Sequence, residues 1–161
     1  RSVSTGNQKP AMLDSDLLSP GRILANVRIN SKKRLLELIS VTLAEKNKEL
    51  NSRAIFESLC AREHLGSTAL GNGVAIPHGR ISGTDGVEAL VFQLSKPLAY
   101  DSDDGTSVDL VFALAVPKQC TEDHSKLLSS IANRFRQPEL LEQLRKAADA
   151  NEIWQLLSSS Q

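Results

Sequence analysis

A chain of 161 residues is long enough to bury a core in one domain, and its nineteen Lys and Arg balance nineteen Asp and Glu. No net positive field is left to hold nucleic acid or an anionic membrane, so a local patch must recognise any partner. The two cysteines, Cys60 and Cys120, stand far apart and match no zinc or redox spacing. Free buried thiols in a reducing cytoplasm are expected, with a disulfide between them left open. No apolar stretch reaches membrane-span length and the N-terminus shows no signal-peptide core. The expectation is a cytoplasmic protein, not embedded in a membrane.

Residues Arg1 to Pro10 are Ser, Gly, Asn, Gln and Lys rich and have little to bury. Residues 1–12 are read as a disordered lead-in or an expression remnant, 13–157 as the folded domain and 158–161 as a tail. From Ser31 to Lys46, Leu35, Leu36, Leu38, Ile39 and Leu43 recur at helical spacing among charges, which predicts an amphipathic helix. A second helix is predicted from Ser52 to Glu63, burying Ile55, Phe56 and Leu59. The period then changes. Val74 to Ile76, Val87 to Leu94 and Val108 to Val116 are β-rich runs between Gly, Pro, Ser and Asp clusters. The last, VDLVFALAV, is apolar almost throughout and reads as a central strand covered on both faces.

Thr121 is a candidate N-cap for a third helix carrying Leu127, Leu128, Ile131, Ala132 and Phe135. Pro138 stops it and opens a short helix through Leu144, and Asp149 with Glu152 has capping-box spacing before a last helical turn with Trp154, Leu156 and Leu157. Helices before, beside and after short-linked strands predict a layered α/β domain with a mixed sheet flanked by helices.

The stretch Gly71-Asn72-Gly73-Val74-Ala75-Ile76-Pro77-His78-Gly79-Arg80 holds one of only three histidines. Pro77 keeps Ile76 extended, so His78 leaves a strand end in a set direction, where α/β sheets keep ligands. Gly79 is read as letting the chain turn away from the imidazole. The competing reading is a surface turn whose histidine does nothing. Arg62, at a helix end shortly before, offers a planar fork suited to phosphate oxygens, or merely answers the helix dipole. His124, in the first turn of the third helix, is either a neutral donor facing an anion or a solvated capping residue. His64 follows Cys60 by four positions, but Cys60 falls among apolar positions and is rejected as a nucleophile. The histidines form no close ligand pair, so no metal is expected, and Gly71 and Gly73 precede a strand and make no dinucleotide fingerprint.

The segment FESLCAREHLGSTALGNGVAIPHGR, from Phe56 to Arg80, together with VDLVFALAVP and the helix near His124, resembles the bacterial phosphotransferase system enzyme IIA proteins of the fructose, mannitol and nitrogen-regulatory type. DSDLLSPGRI and Ser31-Lys32-Lys33-Arg34 are most similar to the nitrogen-regulatory branch. The resemblance implies that His78 accepts a phosphoryl group from a histidine phosphocarrier protein, that Arg62 supports the phosphate and that His124 lies beside it. Ser67 and Thr68 are candidate phosphate donors, with a structural turn role equally open. After His124 the chain reads Ser-Lys-Leu-Leu where many members carry a Leu-His pair, so any role of that further histidine is missing. No cofactor is implied.

Regulated partners such as sensor kinases or potassium transporters are implied by the family, and the lack of an attached IIB or IIC portion suits a regulator. The alternative is a sugar-specific IIA that relays phosphate to a IIB cysteine. A third possibility is a phosphate-independent interaction module.

Overall fold

The computed structural model describes residues 17–102, 104–119 and 122–159. Leu17 and Leu18 are buried, and a 3-10 turn, Pro20–Arg22, leads into strand β1, Ile23–Val27. Helices α1, Lys32–Lys46, and α2, Ser52–Leu65, follow. Each begins at a polar cap: Ser31 Oγ accepts from Arg34 N–H at 3.2 Å and Asn51 Oδ1 from Ala54 N–H at 2.9 Å. Strands β2, Ala69–Gly71, β3, Val74–Ala75, β4, His78–Ile81, β5, Glu88–Leu98, and β6, Val108–Pro117, complete the sheet. Helices α3, Glu122–Arg134, α4, Pro138–Lys146, and α5, Ala150–Ser158, close the chain. Asp149 caps α5 by accepting from Glu152 N–H at 3.0 Å, while Glu152 reaches back to Ala148 N–H at 2.7 Å. Cys120 and the expected cap Thr121 lie outside the described residues.

The sheet is mixed, as expected, with the order β1-β5-β6-β3-β2 and β4 also paired with β6. β1 runs parallel to β5, β5 antiparallel to β6, and both β3 and β4 parallel to β6. β6 is covered on both faces. Leu110, Phe112 and Leu114 join one apolar cluster with Ile131, Phe135, Leu141, Leu144, Ile153 and Leu157. Val111, Ala113 and Ala115 join the other, with Leu35, Ile39, Leu43, Ile55 and Leu59. Strand alternation thus sends one set of side chains to α3, α4 and α5 and the other to α1 and α2.

Two features differ from the expectations. β1 has no strong strand pattern, and Asn26, with φ of 55°, interrupts it with a shift of register. Buried Gln93 offsets the interruption: its Oε1 accepts Asn26 N–H at 3.0 Å while its Nε2 donates to Leu144 O and Ala147 O, both at 2.9 Å. One side chain therefore satisfies a broken ladder and the end of α4. The predicted strand Val74 to Ile76 ends at Ala75, and His78 opens a new strand along the same neighbour, with Ala75 opposite Val111 and His78 opposite Leu114. Pro77 lacks the N–H that a continuous ladder would use, so the chain steps out between the two strands. Among the described residues no helix is long and apolar enough to cross a membrane.

Candidate functional site

Asn72 and Gly73, with φ of 58° and 83°, form the hairpin turn between β2 and β3, since both central positions take the left-handed conformation that such a turn needs. β3 leads to Ile76 and Pro77, which are buried, and to His78, which is half-buried. Ile76 N–H donates to Thr68 O at 3.1 Å, and Pro77 O accepts Leu114 N–H at 3.0 Å. The approach to His78 is therefore held from both sides.

The imidazole is itself fixed. Its Nδ1 lies 2.8 Å from Ile76 O; a carbonyl only accepts, so Nδ1 carries the proton and Nε2 keeps its lone pair. Burial pulls the pKa of His78 below its ordinary value, and the Arg62 guanidinium acts in the same direction, against the Ile76 hydrogen bond and the Glu63 carboxylate. The neutral ring with a free Nε2 is the nucleophilic form.

Gly79 has a different reason from the one expected. It is not among the residues with positive φ. A Cβ there would lie 3.1 Å from the backbone carbon of Ser58, so glycine lets β4 approach α2. Ser58 Oγ then donates to Arg80 O at 2.8 Å across the same contact.

Arg62 lies in the last turn of α2 and donates through Nη1 to Gly66 O at 2.8 Å. Its positive charge acts on both the His78 imidazole and the Tyr100 phenol. Glu63, next to it, is the residue that sequence reasoning left without a role. Its side chain is only 6% exposed and pairs with Lys32 at 3.0 Å. It accepts Thr68 N–H at 3.2 Å, the Tyr100 hydroxyl at 2.8 Å and the Thr68 hydroxyl. Lys32 also lies 4.4 Å from the Tyr100 ring centroid. Burial, and then the Glu63 carboxylate, raise the Tyr100 pKa, so the phenol stays a donor. Nothing local to Lys32 or Tyr100 announces this cluster; only the Arg-Glu pair within the motif hints at it.

Ser67 donates to Tyr100 O at 3.1 Å and accepts Ala69 N–H at 3.1 Å. With the Thr68 hydroxyl directed to Glu63, both expected phosphate donors have their protons engaged inside the fold, and either would have to turn to meet an anion. His124 is half-buried in the first turn of α3. His64 is exposed, and burial raises the Cys60 pKa, which disfavours the thiolate a cysteine nucleophile needs. Among the described residues no three His, Cys, Asp or Glu side chains gather as a metal site would require. A groove of about 750 Å³ between Val27, Ile29, Leu38, Val41 and Phe56 includes none of the residues around His78.

The model of the family described as "Phosphoenolpyruvate-dependent sugar phosphotransferase system, EIIA 2" matches residues 16–160. The chain belongs to this EIIA family. Among curated relatives, the nitrogen regulatory protein of Pseudomonas aeruginosa is 44% identical over 141 residues, covering 88% of this chain and 92% of the relative. The nitrogen regulatory protein of Bradyrhizobium diazoefficiens is 40% identical over 144 residues, covering 89% and 94%. Among solved structures, the nitrogen regulatory protein IIA-Ntr of Neisseria meningitidis superposes with a TM-score of 0.83 at 38% identity, over 89% of this chain and 97% of that one. In this EIIA chain the segment with the densest motif, Phe56 to Arg80, runs from α2 through the hairpin to His78 and β4.

Proposed function

We propose that this EIIA chain is a nitrogen-regulatory phosphocarrier of the cytoplasm, which takes a phosphoryl group on His78 Nε2 from a histidine phosphocarrier protein and regulates partner proteins by its phosphorylation state. The observation that carries the reading is the Nδ1–H bond from His78 to Ile76 O at 2.8 Å, which leaves Nε2 as the free nitrogen. In the transfer, the Nε2 lone pair forms the new N–P bond while the bond from phosphorus to the donor's histidine nitrogen breaks and returns its electron pair there. Positive charge develops on the His78 ring, and the Ile76 carbonyl opposite Nδ1–H stabilises it. The transferred group keeps its negative charge over three oxygens, which Arg62 can meet with its fork.

His124, at the start of α3, is proposed as a further donor to those oxygens, and Ser67 and Thr68 as donors only after rotation. The relatives named nitrogen regulatory protein favour the regulatory branch over relay to a IIB cysteine. Incubation with phosphoenolpyruvate, enzyme I and the phosphocarrier should place acid-labile, base-stable phosphate on the His78 peptide. His78→Ala should take none; label retained there would overturn the reading. In the same assay Arg62→Lys and His124→Ala should each slow transfer by about tenfold or more, the worth of a hydrogen bond to a charged group.

A further inference from the structure

Glu63 is a carboxylate with almost no access to water, yet no step described so far uses it. Its oxygens hold Thr68 twice, through the backbone N–H at 3.2 Å and through the hydroxyl. Thr68 in turn uses its carbonyl to accept Ile76 N–H at 3.1 Å, and the Ile76 carbonyl accepts the proton on His78 Nδ1 at 2.8 Å. Each link fixes a residue at one end and leaves its other polar group for the next, so the contacts form one continuous chain from Glu63 to the imidazole.

We infer that Glu63 is a positioning residue for His78, holding the Thr68 turn and through it the Ile76 carbonyl that keeps the ring in its Nδ1–H form with Nε2 free. The inference takes its reaction from the phosphocarrier reading. Lys32 and Tyr100 anchor Glu63 from α1 and from the segment after β5. They compensate the cost of burying a carboxylate, which would otherwise favour its protonation or withdrawal to solvent. The carboxylate is thereby held at a fixed place relative to two separate elements. Thr68 inherits that placement, because two of its donors are spent on the same side chain. Without Glu63 the turn from Gly66 to Thr68 would still join α2 to β2 and Pro77 O would still accept Leu114 N–H, but Thr68, whose carbonyl holds Ile76 N–H, would lose both of its contacts to the carboxylate.

Ring nitrogen resonances of His78, assigned in a histidine-labelled full chain by comparison with His78→Gln, read the tautomer directly and without phosphate. The parent should show one protonated and one unprotonated nitrogen at pH above the ring's titration. Glu63→Ala should draw the two resonances together and slow transfer from the phosphorylated carrier by about two- to tenfold, the range of one net hydrogen bond. Glu63→Gln keeps one acceptor at the same reach for Thr68 N–H and turns the other oxygen into a donor that the Thr68 or Tyr100 hydroxyl can accept, so it should restore much of the separation and of the rate. A purely structural Glu63 would lower the melting temperature in Glu63→Ala without moving the resonances. A folded Glu63→Ala with parental resonances and rate overturns the inference. Should Glu63→Ala fail to fold, Thr68→Val, which loses one of the two contacts, must shift the resonances in the same direction by a smaller amount; unchanged resonances there overturn it equally. A parent chain that accepts no phosphate defeats the function, while the resonances still decide the positioning.

Discussion

At His78 the chemistry follows from a contest of small effects. Burial is the largest and disfavours the charged ring, Arg62 adds to it, and the Ile76 bond with the Glu63 charge opposes. Because the folded ring binds a proton less readily than an unfolded histidine at 6.5, the unfolded chain holds more protons just below that pH. The stability lost to His78 therefore appears as pH falls through 6.5 towards the folded value and is absent above it. An NMR titration should give a His78 midpoint below 6.5, and Arg62→Gln should raise it. A midpoint at or above 6.5 in the parent would contradict the balance described.

At the scale of elements, the site depends on how closely β4 lies on α2. Gly79→Ala would drive a methyl into Ser58 Oγ and place it 3.1 Å from the Ser58 backbone carbon, so the Ser58 side chain must turn away from Arg80 O and α2 or β4 must give by a few tenths of an ångström. Overpacking of this kind costs about 1 to 3 kcal/mol. Chemical denaturation should show that loss, and because Arg62 sits further along α2 than Ser58, phosphoryl acceptance should slow as well. Gly79→Ala with parental stability would mean that the α2 and β4 contact yields more easily than its geometry indicates. The same contact explains why a strand position with ordinary backbone angles requires glycine: the limit is set by a neighbouring helix, not by φ.

Across the whole molecule, β6 lies between two apolar clusters and carries the neighbours of both β3 and β4. Phe112 on one face meets Phe135 of the segment after α3 edge to face, with ring centroids 5.2 Å apart. Phe135→Ala should cost about 3 to 5 kcal/mol, measured by urea unfolding, because both the buried area and the ring contact are lost. The fraction that remains folded should still accept phosphate, since Phe135 belongs to the cluster on the face away from α2. A selective loss of acceptance without loss of stability would place Phe135 in the site and contradict that division.

Local pattern alone determined much of this chain. α1 and α2 were legible because apolar residues repeat at helical spacing behind a capping side chain, and β6 because an apolar run of its length needs cover on both faces. The motif from Phe56 to Arg80 carried the family, since it joins residue types and spacing within one short stretch. What stayed hidden depends on partners far away in sequence. β1 is a strand because β5 offers it a parallel edge and Gln93 mends its interruption at Asn26. Glu63 can remain buried because Lys32 and Tyr100, distant along the chain, converge on it. The tautomer of His78 was equally invisible, because a ring proton answers to the carbonyl that packing brings within reach, and packing is decided by the whole sheet and both its helical layers.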